Sequence, residues 1–241
     1  MPEHRIRRDR GQAEFRGFLP DPDLPGGVSS AARWGSARLE EPAIAHPQRI
    51  AVGISGASGT VYGRRLVQRL VEAGREVILT MSPTLARLGP AELGLEIDPL
   101  APALHAFLGP RTAAGVGYRR PDDVGADVAS GSFRVDAVVI CPASTGLIGR
   151  VSVGASTNLL ERMAEVALKE GRPLVLVPRE TPLSLIALEA MVRLARAGAV
   201  ILPAAPGFYH RPQRIDDLVD FVVQKILDRL GIDVDLVDRW S

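Results

Sequence analysis

The sequence predicts an α/β protein built as a three-layer sandwich, with a mainly parallel sheet between two layers of helices. From Arg49 onward, short apolar, β-branched runs alternate with longer amphipathic segments of helical period. The short runs are apolar at nearly every position, which is typical of parallel strands that are covered on both faces. In such sheets ligands bind where the strands end, so the loops after the strands are the places to look for function.

The predicted elements follow a strand–helix alternation that one segment interrupts. Strands are predicted at 49–55, 76–81, 135–141, 174–177 and 199–202. Helices are predicted at 61–73, from the end of the second strand to about 95, and at 158–170, 183–197 and 215–230. Residues 98–134 are rich in Pro, Gly, Ala and Arg. We expect irregular structure or a lid there, with a weak helix near 100–108.

The composition divides the chain into an N-terminal extension and one domain. Residues 1–48 carry seven Arg and seven Asp or Glu without apolar periodicity, so we expect a mostly disordered extension or a surface arm before a domain at 49–241. The formal net charge of +1 gives no reason to expect a nucleic-acid or membrane partner. Cys141 is the only cysteine, which fits a reducing cytoplasm and favours a small buried hydrophobe over a catalytic thiol.

The loop after the first strand is Ser55-Gly56-Ala57-Ser58-Gly59. Its small residues let the backbone approach a ligand, its two serines add hydroxyl donors, and the start of the following helix favours an anion. The alternative is a tight turn with helix caps. Phosphate binding is favoured by the position of the loop, although neither a P-loop nor a dinucleotide fingerprint is present. A mononucleotide such as FMN remains open.

Four other segments carry candidate residues, and for each a structural alternative exists. Ser144 and Thr145 follow the third predicted strand and can bind a polar ring edge or cap a helix. Arg162 and Lys169 share one helix face about 10 Å apart, where they bind an anion or lie in solvent. Arg179-Glu180 follows the fourth strand, where Arg can grip a phosphate and Glu can act as an acid or base. The fifth strand leads into an aromatic loop with Tyr209 and a structural His210.

Taken together, these segments resemble one family. The sequences GISGASG, VICPASTG, NLLERMAEVALKEGRPLVLVPRETP and GAVILPAAPGFYHRPQRIDDLVDFVV are similar to those of the flavin prenyltransferase (UbiX) family, and the resemblance covers about residues 49–240. It implies a flavodoxin-like (Rossmann-like) fold and a homo-oligomer built from trimers, commonly a dodecamer. It also implies transfer of a dimethylallyl group from dimethylallyl phosphate to reduced FMN without a metal. The prenylated FMN would be delivered to a UbiD-type decarboxylase.

The resemblance also implies roles for individual residues. Those implied to bind the flavin are Gly56, Ala57, Ser58, Ser82, Ser144, Thr145, Gly146, Leu147 and Arg179. Those implied to hold dimethylallyl phosphate are Tyr209, Lys225, Arg162, Lys169 and Glu92, the last lent by a neighbouring subunit. Ser58, Glu180 and Lys169 are implied to be catalytic, with Glu180 assisting phosphate departure and proton transfer.

Two positions depart from the family pattern, and two other functions stay open. Lys225 stands where many members have Arg, and Val124 stands where some carry a tryptophan near the prenyl group. A related FMN-dependent cysteine decarboxylase would use a His on the first helix, which residues 61–73 lack. A non-catalytic FMN carrier would not need the additional phosphate-binding residues.

Overall fold

The structure is a computed structural model that describes residues 48–238 of the chain. Its core is one six-stranded sheet in which every neighbouring pair is parallel, in the order β3-β2-β1-β4-β5-β6. The strands are β1 (Arg49–Ile54), β2 (Glu76–Met81), β3 (Val116–Tyr118), β4 (Ala137–Ala143), β5 (Leu174–Pro178) and β6 (Val200–Ile201). The strand order changes direction between β1 and β4, which is where such sheets bind ligands. The extension expected at 1–48 lies outside the described residues, except for Gln48.

Helices cover both faces of the sheet, as the alternation predicted. They are α1 (Thr60–Glu72), α2 (Leu85–Leu93), α3 (Leu104–Leu108), α4 (Pro110–Ala114), α5 (Thr145–Ser152), α6 (Leu159–Lys169), α7 (Leu185–Arg196) and α8 (Ile215–Arg229). Apolar residues of α1 and α8 share one core with the sheet, and those of α5, α6 and α7 share the other. No helix within residues 48–238 is long and apolar enough to cross a membrane.

The strand β1 shows how one short apolar run serves both cores. Ile50, Val52 and Ile54 point to the α1–α8 side, and Ala51 points to the other. All four side chains are fully buried, because alternate residues of a strand face opposite sides of the sheet. Burying each large aliphatic side chain contributes about 1.5–3 kcal/mol. The run at 49–55 is therefore stable only with helices on both faces.

Several elements, among them α5 and β3, were not predicted from the sequence. The helix α5 begins inside the segment 142–146, which was interpreted as a loop, and continues beyond it. The sequence did not predict this helix because Gly146 and Gly149 lower its intrinsic helix propensity. Ser144 begins this helix by accepting the backbone N–H of Leu147 at 3.3 Å. The strand β3 lies inside the segment 98–134, where irregular structure was expected. Its three residues gain their strand conformation by pairing with β2 at the sheet edge.

Cys141 lies at the centre of the sheet and behaves as a small hydrophobe. Its side chain is fully buried in β4, and burial raises the pKa of its thiol well above the usual range. The thiolate needed for nucleophilic chemistry is therefore disfavoured. The helix α1 packs closely here, because a Cβ at Gly63 would collide with the carbonyl oxygen of Cys141.

Candidate functional site

Four strand ends meet at one edge of the sheet, which we call the carboxyl edge. The backbone N–H of Ser82 after β2 donates to Ile54 O of β1 at 2.8 Å. The N–H of Ser144 after β4 donates to Ser55 Oγ at 2.7 Å. Beyond β5, Arg179 Nε donates to Ser58 O at 2.7 Å. The loops that the sequence singled out are thus joined to one another by hydrogen bonds.

Ser55 has a structural role, which corrects its expected use as a donor to a ligand. Its hydroxyl donates to Pro142 O at 2.8 Å and accepts the N–H of Ser144. Only 2% of the residue is exposed, so no ligand can reach the hydroxyl without breaking these bonds. Ser55 fastens the end of β1 to the end of β4. By contrast, Ser58 is exposed at the tip of the loop.

The start of α1 was expected to bind a ligand phosphate, and in the structure a carboxylate of the chain itself lies there. The Glu92 carboxylate of α2 accepts the N–H of Gly59 at 3.0 Å and the N–H of Thr60 at 2.8 Å. Burial raises the pKa of Glu92, but hydrogen bonds from Ser58, Gly59 and Thr60 outweigh it, so the pKa lies below its usual value. These amides were expected to bind a phosphate. The structure shows them satisfied by a carboxylate, which stabilises the positive end of the helix.

Glu92 therefore contacts the first loop of its own chain. Its expected contribution to the site of a neighbouring subunit stays a prediction. The left-handed backbone of Gly59, with φ of 110°, turns the loop into α1 and presents its N–H to the carboxylate.

The Arg179–Glu180 pair lies at the carboxyl edge as the sequence predicts. Arg179 is half-buried against the first loop, whereas Glu180 is exposed and accepts only the N–H of its neighbour Thr181, at 3.1 Å, among the bonds found in residues 48–238. The Glu180 carboxylate is thus available to a substrate.

The segment from Ser144 to Leu147 begins α5 at the same edge. Ser144 caps the helix, as the structural alternative proposed, and the Leu147 side chain is buried in the core. In this first turn Gly146 is exposed and Thr145 is half-buried. Any flavin contact by Leu147 would therefore involve its backbone, not its side chain.

Tyr209 and Lys225 come together through a shared aromatic ring. The Tyr209 ring centroid lies 5.6 Å from that of Phe221, and Lys225 Nζ lies 5.6 Å from the same ring. His210 stacks on Phe221 with centroids 5.4 Å apart, which fits the structural role expected for it. Both side chains thus contact Phe221, and a tyrosine hydroxyl and an ammonium group are donors suited to an anion.

Arg162 and Lys169 lie at different heights along α6. Arg162 is near the start of the helix and pairs with Glu165 at 3.6 Å, the local neighbour expected from the sequence. Lys169 is in the last turn and pairs with Glu170 at 2.6 Å. Close to it is Gly131, in the segment before β4, at the edge where the strands begin.

Lys169 is therefore not joined to the other candidates within one chain. The six residues of β1, at about 3.3 Å per residue, separate the two sheet edges by roughly 16 Å. The structure places Glu180 and Ser58 at one edge and Lys169 at the other.

Two residues at the carboxyl edge were missed by the sequence reasoning. Tyr62 of α1 packs against Gly59, and burial raises the pKa of its phenol against the opposing effect of the Arg179 charge. Thr84 contacts Gly56 and Ser82. Its position two residues after Ser82 was the available signal, but threonine before a predicted helix is usually read as a cap.

The described residues contain no group of three or more His, Cys, Asp or Glu side chains placed to hold a metal ion. The donors at the carboxyl edge are hydroxyls, backbone amides and one guanidinium. Such a set is suited to a nucleotide or phosphate ligand.

Fold and site thus define a doubly wound α/β protein with a polar site at its switch point, and the comparisons agree. The model of the Flavoprotein family matches residues 39–227. The flavin prenyltransferase UbiX of Pseudomonas aeruginosa is 50% identical over 198 residues, which cover 81% of this chain and 95% of that protein. UbiX of Halalkalibacterium halodurans is 46% identical over 79% of this chain and 92% of its own length. The chain belongs to the flavin prenyltransferase UbiX family.

Solved structures support the same assignment. AnUbiX, determined with FMN and dimethylallyl pyrophosphate, has a TM-score of 0.72 and 35% identity over 81% of this chain and 98% of its own. A dodecameric FMN-dependent UbiX-like decarboxylase from Escherichia coli O157:H7 has a TM-score of 0.71 and 37% identity over 80% and 99%. The cysteine decarboxylase TvaF shares 15% identity at a TM-score of 0.51, which shows the fold alone. The comparisons favour the prenyltransferase over the cysteine decarboxylase.

Proposed function

We propose that this chain, a flavin prenyltransferase, joins the dimethylallyl group of dimethylallyl phosphate to reduced FMN. The observation that carries this is the meeting of four strand ends in one hydrogen-bonded edge, with exposed Ser58 and Glu180 side chains. AnUbiX binds FMN and a dimethylallyl donor on the same fold. That donor is the pyrophosphate, so the choice between monophosphate and diphosphate is left to experiment.

The residues at the carboxyl edge fit FMN. A Cβ at Gly56 would lie 2.7 Å from Thr84 Oγ1, so only glycine leaves the first loop able to pack here and keep its backbone open to a ligand. Ser82, Ser144 and the Ser58 loop supply hydroxyl and amide groups for a polar ring edge and for phosphate. Bound FMN would supply the electron-rich ring that accepts the prenyl group.

The candidate catalytic residues would act on the leaving phosphate. Negative charge develops on that group as the allylic bond breaks, and Arg, Lys and Tyr donors stabilise it where it forms. Tyr209 and Lys225, which both contact Phe221, are suited to this, with Arg162 and Lys169 as further cations. Glu180 would move the proton, and exposed Ser58 would contact both ligands.

The position of Lys169 supports a homo-oligomer. Since this residue lies roughly 16 Å from the carboxyl edge of its own chain, it can meet Glu180 only in another copy. We propose that a second copy brings its Lys169 to this site, within the trimer-based dodecamer that the family resemblance implies.

The helix α7 offers a surface for such an assembly. Its core-facing residues are buried, yet its outer face is also apolar, and Leu185 and Ile186 are 70% and 79% exposed. Large exposed apolar patches mark interaction sites, because apolar surface is more stable when it is buried against a partner than when it is in contact with water. The other members of this patch are Leu183, Leu188, Val192 and Val153. The patch continues from the Glu180 loop, so its contact with a second copy would close the site to water.

Replacing Ile186 by arginine is expected to reduce the assembly, because a charge at the centre of the patch would be desolvated without a partner. The native mass of the purified protein, measured by analytical ultracentrifugation, should fall to a smaller species. The control Ile186→Leu keeps the apolar contact and should retain the full assembly. An Ile186→Arg protein of unchanged native mass would exclude α7 from the interface.

Four further expectations belong to this proposal. Delivery of prenylated FMN to a UbiD-type decarboxylase and a cytoplasmic location stay predictions. Lys225, which stands where many family members have arginine, would keep a contact with the phosphate but could not form the bidentate contact of a guanidinium. Val124, which is 55% exposed, would leave the prenyl side of the site more open than a tryptophan does.

The proposed reaction is tested anaerobically with purified protein, reduced FMN and dimethylallyl phosphate, and the flavin is analysed by mass spectrometry. We expect a flavin heavier by one dimethylallyl unit, while a reaction without protein gives none. Unchanged FMN with both the monophosphate and the diphosphate donor would exclude the proposal.

A further inference from the structure

Thr84 lies at the carboxyl edge in a position that the usual role of a threonine does not explain. It directly precedes α2, where Ser or Thr commonly accepts a backbone N–H of the first turn. Its side chain makes no such capping hydrogen bond. Residue 84 is exposed, so its hydroxyl is not placed there to satisfy a buried group.

The side chain of Thr84 instead contacts the two loops that the proposed flavin site uses. Ser82 Oγ donates to Thr84 Oγ1 at 3.3 Å, and Ser82 Oγ accepts the N–H of Thr84 at 3.4 Å. On the other side, a Cβ at Gly56 would lie 2.7 Å from Thr84 Oγ1 and 2.9 Å from Thr84 Cβ. Thr84 thus lies between the loop after β1 and the loop after β2.

These contacts set the direction of the hydrogen bonds that the site offers. Since Ser82 Oγ gives its proton to Thr84 Oγ1 and accepts the N–H of Thr84, it keeps one lone pair as an acceptor for a ligand. Within residues 48–238 no acceptor receives the hydroxyl proton of Thr84, which leaves it as a donor at the exposed edge. The pair therefore presents one acceptor and one donor side by side, the pattern that an amide-like ring edge requires.

We propose that Thr84 is a flavin-positioning residue: it orients the Ser82 hydroxyl as an acceptor and donates its own proton to bound FMN. This inference rests on the proposed function and names a residue to which neither the sequence reasoning nor the family resemblance gave a role. The effect is on binding and orientation of the flavin, and not on the bond that is made.

The test uses flavin affinity in the full-length protein, measured as the FMN dissociation constant by quenching of flavin fluorescence. Thr84→Val keeps the branched shape against Gly56 and removes the hydroxyl, whereas Thr84→Ser keeps the hydroxyl. We expect Thr84→Val to raise the dissociation constant about three- to tenfold, the effect of one lost neutral hydrogen bond. Thr84→Ser should stay within about twofold of the wild type, and both should unfold at the wild-type temperature without FMN.

The alternatives give distinct results. Unchanged affinity in Thr84→Val, or an equal loss in Thr84→Ser, would overturn the role of Thr84. A Ser82→Ala, Thr84→Val double variant should lose less than the two single losses combined, because one residue acts through the other. Additive losses would overturn the orienting role. A wild-type protein with no measurable FMN affinity would instead overturn the proposed function.

Discussion

Replacing Glu180 by glutamine is expected to lower the rate of prenylated FMN formation by about 100-fold or more, the usual cost of losing a positioned acid–base group. The amide keeps the size of the side chain but cannot take up or release the proton. FMN affinity should be unchanged, because within residues 48–238 the only hydrogen bond found for the Glu180 carboxylate comes from the N–H of Thr181, outside the first loop. The measurement is single-turnover product formation under anaerobic conditions, together with the FMN dissociation constant.

A matched control is available at the opposite edge of the sheet. Glu76 begins β2 and forms an exposed ion pair with Arg49 at 2.8 Å. Glu76→Gln should retain the full rate. If Glu180→Gln also kept more than half of the wild-type rate, the catalytic role of Glu180 would be excluded. A Glu180→Gln protein that binds FMN and makes no product would also rule out a simple FMN carrier.

Replacing Glu161 by alanine is expected to destabilise the fold by about 3 kcal/mol, because it removes a buried carboxylate and leaves its hydrogen-bond donors unpaired. The Glu161 side chain is fully buried and accepts Arg150 Nε of α5 at 2.6 Å. It also accepts the N–H and hydroxyl of Thr157 at 2.7 and 2.8 Å. This cluster fixes the start of α6, the helix that carries Arg162.

The measurement is the thermal unfolding midpoint, which should fall by roughly 6–12 °C for a domain of this size. Glu72→Ala is the matched control, since it removes a glutamate that pairs with Arg69 on the exposed face of α1. Exposed pairs contribute little to stability, so that midpoint should hardly change. If the unfolding midpoint fell equally in the two variants, the burial of Glu161 would add nothing to its contribution to stability.

The same carboxylate gives the fold a pH dependence. Burial raises the pKa of Glu161, but hydrogen bonds from Arg150, Thr157 and Asn158 outweigh it and hold the pKa below the ordinary 4.5. The unfolded chain therefore binds the proton first, so the stabilisation is complete above pH 4.5 and is lost as the pH falls through the folded pKa. The free energy of unfolding of Glu161→Gln should fall less steeply below pH 4.5 than that of the wild type.

The sequence by itself determined the fold class and the loops that matter. The runs at β1, β4 and β5 are apolar on both faces, and such runs can be buried only in a parallel sheet between helices. Because all strands of a parallel sheet end at one edge, the loops after them had to meet. Gly56, Ser82 and Arg179 were placed correctly at this edge from sequence order and family resemblance.

Only the tertiary structure decided what each polar group in those loops does. A sequence lists hydroxyls and carboxylates but not their partners, and partners are chosen by neighbours that are distant along the chain. Ser55 bonds to Pro142 and Ser144, which lie 87 and 89 residues away, and is thereby removed from the ligand site. Glu92 binds amides 32 and 33 residues away, where a phosphate was expected.

The tertiary structure also decided which short elements form and how far apart the candidate residues lie across the sheet. The strand β3 has three residues and α5 contains two glycines, so neither is stable without the sheet it packs on. Helical spacing placed Arg162 and Lys169 on one face of α6, but the sequence did not show which sheet edge each would reach. Because α6 runs from the carboxyl edge toward the edge where the strands begin, packing separates Lys169 from Glu180 within a single chain.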